Sequence, residues 1–111
     1  MSRFRRRIRT DFAAINRAAL PLLPAILQRL LPNGRRAGRE YVALNPRRVD
    51  RHLGSFRISL SSGKWADFAC HDARGGDVVS LIAYLEGCSQ PEAARKVAYM
   101  LGLDGGGHRH G

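Results

Sequence analysis

Cys70 and His71 stand side by side in the stretch DFACHDARGGD (Asp67–Asp77), with Asp72 directly after them. Thiolate and imidazole hold structural zinc, and such a site needs four ligands in a closed tetrahedron. The stretch supplies one Cys and one His; His52 is the nearest imidazole upstream. Successive residues of a strand point to opposite faces, so Cys70 and His71 diverge if a strand runs through them. The same adjacency does not make a nucleophile–base pair, which must form in space rather than in sequence.

Other motifs fall short of chemistry. SSGKW (Ser61–Trp65) suggests a phosphate loop, but Ile58 stands where the first Gly of that pattern is needed, and Trp65 follows the Lys in place of Ser or Thr. A hairpin turn with an exposed Lys64 is the expected structure. GGD (Gly75–Asp77) could receive an anion at a helix N-terminus, but a capping Asp77 would repel phosphate there. No paired carboxylates and no Ser-His-Asp order stand out, so the chain is not expected to be an enzyme. The HRH of the glycine-rich end is expected to be a solvated tail.

Charge is the strongest signal. Nineteen Lys and Arg stand against nine Asp and Glu, for a net charge of +10. Residues 1–57 hold 14 of the basic side chains against Asp11, Glu40 and Asp50, whereas residues 58–111 are nearly balanced. All but Lys64 and Lys96 are arginines, whose planar forks match phosphates and stack on bases. The asymmetry implies a cationic surface facing a polyanion. Two cysteines make no disulfide framework, and free thiols fit the reducing cytoplasm. The longest apolar run, AALPLLPAIL, is ten residues, too short to span a bilayer.

The elements that must position these groups follow from periodicity. Ser2–Arg9 is a basic arm, and residues 104–111 form a tail. Thr10 or Asp11 caps a helix from Phe12, which Pro21 and Pro24 kink or divide before a second helix ends near Leu31. Pro32–Glu40 is a basic loop. YVAL, SFRISL and WADFAC are short strands between residues 40 and 70. Phe56, Ile58 and Leu60 alternate with polar residues, and the apolar side of the next strand is expected to be Ala66, Phe68 and Cys70, leaving Arg57 and Trp65 towards the other face. Asp77 caps a helix that Gly87 stops, and SQPE (Ser89–Glu92) opens the last helix as a capping box. The span 10–103 makes one α+β domain, helical over 10–31 and again over 77–101.

The ordered motifs of residues 40–103 resemble the zinc-binding domain that opens bacterial and phage primases of the DnaG type. That family carries Cys-Pro-Phe-His, Pro-Ser-Phe, Cys-Phe-x-Cys and Gly-Asp before an aliphatic helix. Here NPRR (Asn45–Arg48), GSF (Gly54–Phe56), DFAC (Asp67–Cys70) and GGD occupy those places. The chain also resembles, more closely, the N-terminal segment of Toprim-containing primase-like proteins of phages and mobile elements, where the finger is commonly degenerate. The resemblance implies a three-stranded antiparallel, zinc-ribbon-like sheet flanked by N-terminal and C-terminal helices. It puts Asn45, Arg48, Asp67 and Cys70 at the former ligand positions. Only Cys70 is a good ligand, so zinc is not expected and no cofactor is assigned. An Arg48–Asp67 ion pair could stand where two ligands once met, with His71, His52 or Asp72 the conceivable substitutes for a retained metal.

These readings converge on a single-stranded DNA-binding accessory module, serving replication of a mobile element with a separate polymerase, primase or helicase and no membrane. Its expected contacts are Arg35, Arg36 and Arg39 in the loop, Arg47, Arg48 and Arg51 beside the knuckle, and Arg57, Lys64 and Trp65 on the sheet. Cations track phosphates while a ring stacks a base; for Trp65, burial in the core is the competing expectation. Two alternatives remain open: a protein–protein adaptor docking through the apolar N-terminal helices, and a primase fragment inactive without its Toprim partner.

Overall fold

The computed structural model describes residues 11–47 and 54–102. The basic arm, Arg48, Arg51, His52 and the glycine-rich tail lie outside the described residues. Helices α1 (Phe12–Ala19) and α2 (Leu23–Leu30) are separated by a 3-10 turn over Leu20–Leu22. Strands β1 (Arg35–Ala37), β2 (Glu40–Ala43), β3 (Phe56–Ser59), β4 (Trp65–Asp67) and β5 (Cys70–Gly75) follow, then helices α3 (Val78–Glu86) and α4 (Gln90–Met100).

The helix boundaries form where the local chemistry puts them. Asp11 accepts a hydrogen bond from the Ala14 N–H at 3.0 Å, satisfying one orphan donor of α1. Pro21 lies in the 3-10 turn and Pro24 in the first turn of α2, where a missing N–H costs nothing. Ile15, Ala19, Leu23, Ile26 and Leu27 are the buried stripe that results. Asp77 and Ser80 form a reciprocal capping box on α3, and Gly87 ends that helix at φ +66°. Ser89 caps α4 by accepting from the Glu92 N–H.

The sheet has five antiparallel strands in sequence order, not three. The two extra strands are its edges. Arg35–Ala37, expected as loop, pairs with β2 around Gly38 at φ +64°. Edge residues exposed on both sides carry no apolar alternation, so pattern reading passes over them. β5 has the same character: only Ala73 within it is buried.

The facing of β4 is also corrected. Ile58 pairs with Trp65 and Phe56 with Asp67, and partners directly opposite share a face. Trp65 and Asp67 therefore join Phe56 and Ile58 on the covered side, while Ala66 goes to the other face and Phe68 is exposed. Helices α1 to α4 cover that first side, giving one continuous core around Leu23, Leu27, Phe56, Ile58, Leu81 and Val97. The opposite side of the sheet carries the groove described next.

Candidate nucleic-acid interface

Across the sheet's second face, the strand register sets one residue from each strand in a row: Arg35, Val42, Arg57, Ala66 and Arg74. Three of the five are arginines. An open groove of about 620 Å³ follows the β3–β5 half of this face. Its walls include Arg57, Lys64, Ala66, Phe68 and Arg74, with Glu40 and Ser59 on the β2 side.

The Arg57 guanidinium is held from two directions. Nε donates to the Gly54 carbonyl at 2.8 Å, and Nη1 donates to Glu40 Oε1 at 2.8 Å. Both side chains of the ion pair stay about two-fifths exposed, 40 % and 42 %. An exposed pair of this kind contributes little stability; its effect is to fix the direction of the fork, leaving further N–H groups for an anion. Lys64 enters from the β3–β4 hairpin, whose geometry is set by Gly63 at φ +82° and by the Ser59 and Ser62 hydroxyls accepting from the Ser62 and Lys64 N–H groups.

Trp65 does not present its ring to this groove. It is 5 % exposed, tilted against Tyr84 with centroids 5.0 Å apart and edge-on to Phe56 at 6.3 Å. Its Nε1–H donates to Ser80 Oγ at 2.9 Å, tying the sheet to the first turn of α3. Gly75 passes so close that a Cβ there would lie 2.6 Å from Trp65 Nε1 and against Ser80 Oγ. The core placement accordingly holds for Trp65, and no ring face is left for a base.

The aromatic ring that is open is Phe68, 73 % exposed at the β4–β5 turn. Its backbone is anchored, the N–H donating to the Ser55 carbonyl at 2.8 Å. Sequence reading missed Phe68 and Arg74 because it set Phe68 on the core side and saw no strand after Cys70.

The expected arginines divide. Arg35 and Arg57 share the row, and Arg36 and Arg39 are exposed on the β1–β2 hairpin, Arg36 at a register position of the other face. Arg47 turns to the helix side, its guanidinium 5.7 Å from the centre of the Tyr84 ring. Arg48 and Arg51 lie outside the described residues.

The knuckle behind β4 is a packed polar cluster. Asn45 and Asp67 are both 1 % exposed. Asn45 Nδ2 donates to Asp67 Oδ2 and to the Tyr84 hydroxyl, each at 2.8 Å, and Asn45 Oδ1 accepts from the Arg47 N–H. Asp67 Oδ1 accepts from the Ala69 N–H at 2.9 Å. Buried polar atoms persist only when satisfied, and here an amide–carboxylate bond joins two of the expected former ligand positions. Cys70 pairs with Asp67 in register and packs partly buried against the core. His71 and Asp72 stand almost fully in solvent, 3.6 Å apart. Among the described residues no three His, Cys, Asp or Glu gather in a group fit for a metal ion.

No family model matches the chain, and no curated protein and no solved structure matches it either. No helix among the described residues is long and apolar enough to cross a membrane.

Proposed function

We propose that this chain is a nucleic-acid-binding accessory module, built on a primase-type zinc ribbon whose metal has given way to packing at Asn45 and Asp67. It binds single-stranded DNA during replication of a mobile element, beside a polymerase, primase or helicase on another chain. The observation that carries this reading is the convergence of Arg57, Lys64 and Arg74 on one open groove, in a protein of net charge +10. Cations gathered on one open groove are placed to neutralise phosphates.

The test is anisotropy of a labelled single-stranded oligonucleotide at two salt concentrations. Three or four phosphate contacts give a log–log slope of about −2 to −3, so affinity should fall about 20- to 50-fold between about 50 and 200 mM salt. Undetectable binding at the lower salt rejects the reading.

The adaptor alternative is supported by a smaller surface. Leu23, Ile26, Leu27 and Leu31 are spent in the core, leaving Leu22 and Met100 exposed beside Arg29 around a recess of about 180 Å³. Docking there would respond weakly to salt. The primase-fragment alternative requires primer synthesis to appear when a Toprim chain is added.

A further inference from the structure

The nucleic-acid reading leaves the direction of the ligand open, and the register speaks to it. Neighbouring strands lie about 4.8 Å apart. Arg35 on β1, Arg57 on β3 and Arg74 on β5 therefore recur at about 10 Å intervals over a total of about 19 Å. Their line runs perpendicular to the strands, from one edge of the sheet to the other. Along any single strand the face offers no such series: β2 carries Glu40 and Val42, β3 carries Arg57 and Ser59. A polyanion laid parallel to the strands meets one cation and then neutral or acidic groups; one laid across them meets three, Arg57 and Arg74 along the open groove and Arg35 beyond the buried Val42.

Resting on the proposed function, we infer that a single strand of nucleic acid crosses this sheet perpendicular to its β-strands, along Arg35, Arg57 and Arg74, and that Phe68 receives one of its bases. Arg57 is the fixed point of the path. Glu40 and the Gly54 carbonyl hold its guanidinium in one orientation before any ligand arrives, so less freedom is lost when a phosphate binds. Glu40 is thus a positioning residue, and its charge also weakens the local field. Phe68 lies on the same groove as Arg57 and Arg74 with its ring in solvent and its backbone anchored. Every base has a π-face, so this platform is tolerant of sequence.

The span sets the footprint. At about 3.4 Å per nucleotide a stacked strand covers it with about six nucleotides. With a base turned out onto Phe68 fewer are needed, which gives about four to six, at the short end of known single-strand sites.

The experiment is a length series of oligothymidylates from dinucleotide to dodecanucleotide, measured by competition against a labelled dodecamer at low salt. Wild type, Arg35→Ala, Arg57→Ala, Arg74→Ala and Phe68→Ala are compared, with the buried Trp65 reporting that each variant is folded. Affinity should climb steeply to about four to six nucleotides and then only with the number of possible registers. Arg35→Ala and Arg74→Ala should each weaken the hexamer several-fold and lower the salt slope by about 0.7. Arg35→Ala should matter less as the oligomer shortens. Phe68→Ala should cost about tenfold, with Phe68→Tyr restoring most of it. Affinity that climbs without a break to the dodecamer, or an Arg35→Ala loss equal at every length, overturns the crossing path while leaving binding intact. Absence of binding at every length overturns the nucleic-acid reading beneath it.

Discussion

The two faces of one sheet put three-residue neighbours to opposite uses. On the covered face, Trp65 is enclosed by Phe56 and Tyr84 and hydrogen-bonded to Ser80. On the open side, Phe68 touches solvent with nearly three-quarters of its surface. The covered face also buries its polar groups in satisfied pairs, Asn45 with Asp67 and Tyr41 with the Leu31 carbonyl. The open face carries Arg57, Lys64 and Arg74, with Glu40 their one carboxylate partner among the described residues. An interior placement fixes a fold, whereas an exposed ring beside an oriented Arg57 has no stabilising task and is suited to a ligand. The lesson is that hydrophobicity alone did not separate structural from binding aromatics; their hydrogen-bonded neighbours did.

This contrast can be broken by substitution, and the covered face should show the largest effects. Phe56→Ala removes the ring on which Trp65 and Tyr84 pack, and should cost about 3–5 kcal/mol, enough to unfold much of the population in a denaturant titration. Asn45→Ala leaves a buried carboxylate oxygen and a tyrosine hydroxyl without their amide partner, for a loss of about 2–3 kcal/mol in the same measurement. Gly75→Ala forces a methyl against Trp65 and Ser80 and should cost about 1–3 kcal/mol, with a shift in tryptophan emission.

A smaller effect is expected from alkaline titration. Burial pushes the Tyr41 phenol above its ordinary value of 10.0, so the neutral form is favoured in the folded state. Its contribution is complete below pH 10.0 and is lost as pH rises through the raised value. Thermal melts followed across that range should show Tyr41→Phe losing less stability on alkalinisation than wild type. At the lower pH the variant lacks the 2.7 Å bond to Leu31 and should be about 1 kcal/mol less stable. The open face completes the contrast. Phe68→Ala and Arg74→Glu should change stability by no more than about 0.5 kcal/mol while lowering oligonucleotide affinity about tenfold or more.

Much of the helical part was legible because its signals are local. Asp11, Asp77, Gly87 and Ser89 each act within four residues of themselves, and Pro21 and Pro24 constrain their own backbone. The sheet was less legible because its decisive contacts are distant. In WADFAC the apolar count favours Ala66, Phe68 and Cys70 as the core side. The structure instead buries Asp67, because Asn45, 22 residues away, supplies a donor that no window around Asp67 contains. Inverting the strand in that way sends Phe68 out and Trp65 in. The edge strands escaped for a different reason: Arg35–Ala37 is exposed throughout, so only its backbone pairing marks it. Arg57 and Lys64 were legible as surface cations, but their meeting with Arg74 depended on a fifth strand.

The central claim is that the open face of the sheet, and not its helical cover, meets the ligand. An amide-resolved NMR titration with a single-stranded hexanucleotide tests it most directly. Shifts should concentrate at Arg35, Arg57, Lys64, Ala66, Phe68 and Arg74, with the indole N–H of Trp65 moving little because Ser80 holds it. Shifts gathered instead around Leu22, Tyr99 and Met100, or none at saturating oligonucleotide, would contradict it.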